Sequence, residues 1–274
     1  LKTVGIPRLN FSVTYVSGND IQEIEDAIQD NTSLMILESP ATFVFRVVDL
    51  KAITDIAKKH NVKTYIDNTC LTPIFQKPLD LGVDIVMHTM SKYIGGHSDI
   101  IGGVLVSKDD EIMRRIMSEM REWFGGILGP MEGWLAIRGL RTLEARMKRH
   151  QEIAMAVADF LEKSDKVKQV NYTGLASHPQ ADIIKRQQMG HSSLMSIVLD
   201  APAEKAVEFI DHLHLFGKGC SWGGFESLAL CPLYKESQEE LAVLGADRGL
   251  IRLYCGLEGE ENLLEDIEAA LKLL

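Results

Sequence analysis

A chain of 274 residues, 46% hydrophobic and 25% charged, has enough apolar material for one large domain or two smaller ones and reads as a globular protein of the soluble type. Its formal net charge of -10 excludes a general attraction to nucleic acid or anionic membrane and leaves small molecules or copies of itself as the expected partners. Cys70, Cys220, Cys231 and Cys255 are scattered, with no C-x-x-C pair and no histidine at metal-ligand spacing, which predicts reduced thiols in a cytoplasmic protein and no structural zinc.

The N-terminal stretch "LKTVGIPRLNF" has no signal- or transit-peptide layout and no initiator methionine, so the chain is expected to begin partway through a longer gene product. No uninterrupted apolar run is long enough to cross a bilayer. Asn19 and Asp20 are suited to cap a helix with Ile21, Ile24 and Ile28 on one face, followed by the strand "SLMILES", Ser33 to Ser39. Leu50, Ile53 and Ala57 make a second helical stripe, followed by the strand "VKTYIDN", Val62 to Asn68. "VDIVMHT" and "GGVLVSK", Gly102 to Lys108, complete the strands of the first half. Near-continuous apolar strands alternating with helices predict an α/β domain with a mostly parallel sheet covered on both faces, whose ligands collect beyond the carboxyl ends of the strands.

Glycines and Pro130 change the composition between Gly125 and Gly139 and lead into a charged amphipathic helix in which Ile153, Val157, Phe160 and Leu161 share a face. The expected division is therefore a large domain over 1–128 and a linker helix with a smaller α+β domain over 129–274. Strands "SLMSIVLD", "ESLALC" and "LIRLYCG" and a closing helix through Leu263, Leu264, Ile267 and Leu271 build the second part. No internal repeat or low-complexity tract is evident.

Lys92 follows the carboxyl end of an apolar strand, flanked by the hydroxyls of Thr89 and Ser91. A partly desolvated lysine loses its proton more readily and becomes a nucleophile toward aldehydes. Asp67 ends the preceding strand, so parallel neighbours would bring it to the same sheet edge, where a carboxylate can keep a proton on a pyridine nitrogen while Thr89 and Ser91 bind a phosphate. Together these parts describe a pyridoxal phosphate site. On spacing alone the plainer reading stays open, because a lysine or aspartate at a strand end is commonly a solvated loop residue.

The stretches "YIDNTCLTP", "MHTMSKYIGGHSDIIGG", "GPMEGWLAIRGLRTLEARMKRH", "GLASHPQ" and "IRLYCGLE" occur in that order. In this the chain resembles the Cys/Met metabolism pyridoxal phosphate enzymes, the trans-sulfuration family of cystathionine γ-synthase, cystathionine β- and γ-lyase and methionine γ-lyase, along essentially its whole length. The resemblance implies a PLP-dependent transferase fold of type I and pyridoxal 5'-phosphate as cofactor. It implies that Lys92 carries the Schiff base, Asp67 pairs with the pyridinium nitrogen, and Thr89 and Ser91 contact the phosphate. By the same likeness Arg252 binds the substrate α-carboxylate, which suits a bidentate guanidinium, and Ser221 lines the substrate side of the lysine. Plainer readings are a surface arginine on an edge strand and a turn serine.

Other residues take the plainer reading. His97 is expected to shape its loop, His212 and His214 to lie on a helix or strand surface, and Cys70 and Cys220 to pack. The pairs Gly95-Gly96 and Gly102-Gly103 match neither a dinucleotide nor a Walker fingerprint and are expected at turns or close backbone approaches.

The implied reaction is a carbon–sulfur lyase acting on a sulfur amino acid such as cystathionine. Trp222 after Ser221, as in bacterial cystathionine β-lyases, and Thr42 and Phe43 in place of the asparagine and proline of the γ-type "ESP-x-NP" pattern favour β-elimination to a thiol, pyruvate and ammonia. "GLASHPQ" and "RQQMGHSSLMS" instead resemble the γ-type enzymes, which leaves γ-elimination or γ-replacement as the alternative. Further alternatives are a PLP aminotransferase and an inactive scaffold. The resemblance also implies a homotetramer of dimers. Because it places a further N-terminal segment with a ring-stacking tyrosine and phosphate-binding amides before this chain, weak or no activity alone is expected.

Overall fold

The computed structural model of the chain describes residues 11–18 and 20–274, so Asn19 and most of "LKTVGIPRLNF" lie outside the described residues. The first half builds a four-stranded sheet in the order β1-β2-β3-β4, from β1 (Leu34–Glu38), β2 (Lys63–Asp67), β3 (Ile85–Thr89) and β4 (Gly103–Val106). The first three strands are parallel, with Glu38 opposite Asp67 and Asp67 opposite Met87. β4 runs antiparallel to β3, pairing Thr89 with Gly103. Only residues 90–102 join these two strands, which is a return on the same edge rather than a helical crossover.

Helix α1 (Ile21–Asp26) is capped by Asp20, which accepts from the Gln22 N–H at 2.9 Å, and it ends before Ile28. Helix α2 (Leu50–Lys59) is capped by Asp49 and buries Leu50, Ile53 and Ala57. Both lie on one face of the sheet, where Ile24, Leu50 and Ile53 meet Ile66 and Val86. Among the described residues the other face is open at β1, where Leu34 and Ile36 are 45% and 57% exposed. Alternation decides which residues face which way: Asp67, Met87 and Thr89 fall on the open face and Ile66, Val86 and His88 on the packed one.

The long helical region is two helices, α3 (Pro130–Leu140) and α4 (Leu143–Glu162), with Pro130 in the first turn of α3. Beyond them a five-stranded sheet has the order β5-β6-β9-β8-β7, from β5 (Val167–Asn171), β6 (Leu194–Leu199), β7 (Gly217–Lys218), β8 (Leu228–Leu230) and β9 (Leu250–Tyr254). Every residue of β6 and β9 is buried. Ile153, Val157 and Leu161 of α4 pack on this sheet with α5 (Glu204–His212) and α6 (Glu260–Lys272). Each of those three fully buried side chains is worth about 1.5–3 kcal/mol relative to exposure. A separate cluster joins the halves of the chain, with Phe75, Tyr93 and Ile94 packed against Met147, Leu194 and Tyr254. Among the described residues no helix is long and apolar enough to cross a membrane.

Candidate active site

Lys92 sits in a wide turn, Met90–Ile94, that leaves the carboxyl end of β3; its own φ of -101° and ψ of -134° are not helical. The Gly95 N–H closes the turn on the Met90 carbonyl at 2.8 Å. Two glycines bring other elements onto this turn. A Cβ at Gly139 of α3 would lie 2.2 Å from the Ile94 carbonyl oxygen, and one at Gly223 would lie 2.7 Å from Lys92 Cα. Gly223 also has φ +88°, so glycine is needed there on both grounds. The loop of the C-terminal half that contains Ser221, Trp222 and Gly223 is thereby laid directly along the lysine.

Lys92 Nζ donates to Ser221 Oγ at 3.0 Å and lies 5.2 Å from the centre of the Trp222 ring. Trp222 in turn meets Tyr93 edge-on at 5.7 Å. Burial first, and then the nearby Arg252 guanidinium, hold the Lys92 pKa below its ordinary value of 10.5. Desolvated and next to another cation, this amine is suited to nucleophilic work.

Arg252 lies on β9, an interior strand between β6 and β8, and is only 6% exposed, which replaces the reading of a surface arginine on an edge strand. Its Nη2 donates to the carbonyls of Ser221 at 3.1 Å and Gly219 at 3.4 Å, while its buried Nε has no partner among the described residues. A buried donor left unpaired in the protein alone is suited to a carboxylate supplied from outside.

Asp67 Oδ1 accepts from both the N–H and the hydroxyl of Thr69, and the Thr69 hydroxyl oxygen accepts the Thr89 N–H at 2.8 Å. Thr69 thus ties the aspartate to the strand that leads into Lys92, a role the sequence showed only as the third letter of "DNT". Asp67 Oδ2 has no hydrogen bond among the described residues. Among the described residues the Thr89 hydroxyl reaches only the Met87 sulfur at 3.7 Å, and Ser91 Oγ accepts from the Gly102 N–H at 3.3 Å. Thr42 donates to Glu38 Oε1 at 2.6 Å, beside Asp67 in the strand register.

Sequence reasoning passed over His88, which is buried on the packed face with an Nδ1 that has no partner among the described residues. Burial lowers its pKa while the nearby Asp67 opposes the shift. His97 Nδ1 contacts the Gly95 carbonyl at 2.8 Å, as a loop-shaping residue does. His212 ends α5, and the His214 N–H donates to Asp266 Oδ1 at 2.9 Å. Cys70 packs against Ser192, and burial pushes its thiol up to about 12. Cys220 is exposed, contrary to the expectation that it packs, because its loop lies over the lysine instead of entering the core.

The chain is 39% identical over 273 residues to an L-alanine/L-glutamate racemase of Wolbachia pipientis wMel, covering 98% of the chain and 66% of that protein. It is 39% identical over 267 residues to a cystathionine gamma-lyase of Dictyostelium discoideum, covering 96% and 68%. It is also 39% identical over 264 residues to a cystathionine beta-lyase of Coxiella burnetii, covering 95% and 68%. The chain thus spans about two thirds of the length of these curated relatives. The crystal structure of metB from Corynebacterium glutamicum superposes with a TM-score of 0.89 at 34% identity, covering 95% of this chain and 68% of that one, which shows the PLP-dependent fold of type I. The family model for Cys/Met metabolism PLP-dependent enzymes matches residues 2–272. The chain therefore belongs to the Cys/Met metabolism PLP-dependent enzyme family, whose cofactor is pyridoxal 5'-phosphate.

Proposed function

We propose that the chain supplies the catalytic core of a carbon–sulfur lyase that cleaves a sulfur amino acid such as cystathionine by β-elimination, releasing a thiol, pyruvate and ammonia. The observation that carries this reading is the placement of the Lys92 amine 3.0 Å from Ser221, beside Trp222 and within the field of the buried Arg252. The residues present fit the cofactor: a desolvated amine, an aspartate with a free oxygen on the open face of the sheet, and a threonine hydroxyl held only by a sulfur contact.

Lys92 would hold the cofactor through its amine, Asp67 its ring nitrogen, and Thr89 and Ser91 its phosphate. When bound, pyridoxal phosphate supplies an electron sink for charge developing at the substrate Cα. Arg252 would fix the substrate carboxylate, with its Nε, unpartnered among the described residues, as a donor. Ser221 would orient the Lys92 amine, whose basicity burial lowers, for taking and returning a proton. Trp222 would screen that amine from water.

The position of the bond broken is a finer matter. Relatives at 39% identity include both a gamma-lyase and a beta-lyase, and γ-elimination or γ-replacement is the second reading, supported by the γ-like "GLASHPQ" segment. A racemase at 39% identity makes proton return to Cα a third outcome to measure. Self-association is proposed on the family likeness, a tetramer built from dimers, and is supported by Met131, Trp134 and Ile137 of α3, which are 63%, 60% and 57% exposed.

Borohydride reduction of the chain mixed with pyridoxal phosphate, followed by peptide mapping, is expected to label Lys92. Pyruvate from cystathionine supports β-elimination, α-ketobutyrate the γ reaction, D-alanine from L-alanine racemisation, and amino-group transfer without ammonia a transaminase. Absence of label at Lys92 would sink the reading as a whole.

A further inference from the structure

Arg146, in the first turn of α4, is 9% exposed and has no carboxylate against it among the described residues. Its Nη1 donates to the Tyr93 carbonyl at 2.7 Å, and its Nη2 to the carbonyls of Gly139 at 2.9 Å and Ile94 at 3.4 Å. Its Nε donates to Thr142 Oγ1 at 3.1 Å. One guanidinium therefore joins three points: the end of the turn that carries Lys92, the last turn of α3, and Thr142, the residue just before α4. A buried cation satisfied only by neutral oxygens carries a desolvation penalty that a well-packed apolar residue would avoid. Its worth lies in geometry, because a planar fork with five donors fixes several carbonyls at once, which a lysine does only in part and a hydrocarbon not at all.

The turn needs such a brace. Lys92 has non-helical backbone angles inside the turn, and the α3 backbone approaches so closely at Gly139 that a Cβ would lie 2.7 Å from the Gly95 carbonyl oxygen. Four residues along α4, His150 packs edge-on against the Tyr93 ring at 5.4 Å and lies 5.7 Å from that of Tyr254, two residues from Arg252 on β9. Helix α4 thus supports the residue after Lys92 by its carbonyl and by its ring.

We propose that Arg146 is the positioning residue of Lys92, clamping the carbonyl end of the lysine's turn to the α3–α4 junction and so fixing where the amine points. This rests on the reading of Lys92 as the reacting amine. The test compares the chain with Arg146→Lys, Arg146→Met and Thr142→Val. Two quantities are followed: hydrogen exchange of the 93–96 amides without cofactor, and the pH-dependent rate of reductive labelling of Lys92 by pyridoxal phosphate with cyanoborohydride, with Lys51 as the surface control.

Arg146→Met is expected to speed exchange at 93–96 and to slow Lys92 labelling by about 10- to 100-fold, with Lys51 unchanged. Arg146→Lys and added millimolar guanidinium should each restore part of the rate. Arg146→Met that melts cooperatively, exchanges like the parent chain and labels Lys92 with the parent's rate and pH profile overturns the proposal. If that variant does not fold, Thr142→Val decides: about 2- to 5-fold slower labelling is expected, and no change in rate or exchange overturns it. If the parent chain itself is unlabelled at Lys92, the functional reading fails, while faster or unchanged exchange at 93–96 still supports or overturns the clamp.

Discussion

Replacing Gly223 with alanine puts a methyl group into space already held by the Lys92 backbone. The new Cβ would lie 2.7 Å from Lys92 Cα, 2.8 Å from its carbonyl carbon and 2.8 Å from its Cβ, distances that require one of the two segments to move. At φ +88° the side chain also carries the left-handed penalty of about 1–2 kcal/mol. Overpacking against backbone, which cannot rotate away, adds about 1–3 kcal/mol. If the loop stays in place, the combined cost is about 2–5 kcal/mol, or a melting temperature lower by about 4–20 °C at this chain length. If the loop yields instead, the Lys92–Ser221 hydrogen bond and the edge-on contact of Trp222 with Tyr93 are lost. Circular-dichroism melting and Lys92 labelling by pyridoxal phosphate distinguish the two cases. Gly133→Ala serves as control, since a Cβ there meets nothing within 4 Å in a helix, and it should raise stability by about 0.5–1 kcal/mol. A Gly223→Ala chain that melts with the parent and labels at the parent's rate would refute the close approach of this loop to Lys92.

Lys92→Met tests the desolvation of the amine. Because the folded pKa lies below 10.5, the folded chain binds this proton less tightly than the unfolded one, so protonated Lys92 costs the fold stability at neutral pH. Urea midpoints of parent and variant should therefore converge as pH rises from the folded pKa toward 10.5, with the variant's relative advantage greatest below that window; a pH-independent difference contradicts the assignment. Arg252→Lys removes the planar fork while keeping a charge, and steady-state kinetics should show KM for the amino acid raised by about 10- to 100-fold with a smaller change in kcat. Asp67→Asn retains an acceptor for Thr69 but loses the carboxylate charge, and absorbance titration should show pyridoxal phosphate binding weakened by about 10-fold or more. Equal affinity would remove Asp67 from the site.

Much of the fold was legible in the chain itself because burial writes a period into the sequence. The stripe Leu50, Ile53, Ala57 and the runs containing Ile66, Val86, Val198 and Ile251 marked their helix and strands, since each side chain must reach a core from a fixed backbone geometry. The weak edge strand β5, with the polar sequence "VKQVN", and the two-residue β7 were invisible for the same reason: neither has a face to declare. The site was partly readable, because Asp67, Thr89 and Lys92 sit at strand ends where α/β sheets present ligands.

Other relations depended on the tertiary structure. Ser221 is 129 positions from the lysine it contacts, and only the steric demand at Gly223 shows why that loop is laid on Lys92. Arg252 changed from a possible edge residue to a buried cation when β9 took its place between β6 and β8, while Cys220 moved from presumed packing to an exposed loop. Arg146 stood in a quoted motif without a role, because its partners are backbone carbonyls, which leave no mark in a sequence. Local periodicity thus determined the elements and the chemistry available at their ends, and three-dimensional packing decided which of those ends share one pocket, because desolvation and charge act through space and not along the chain.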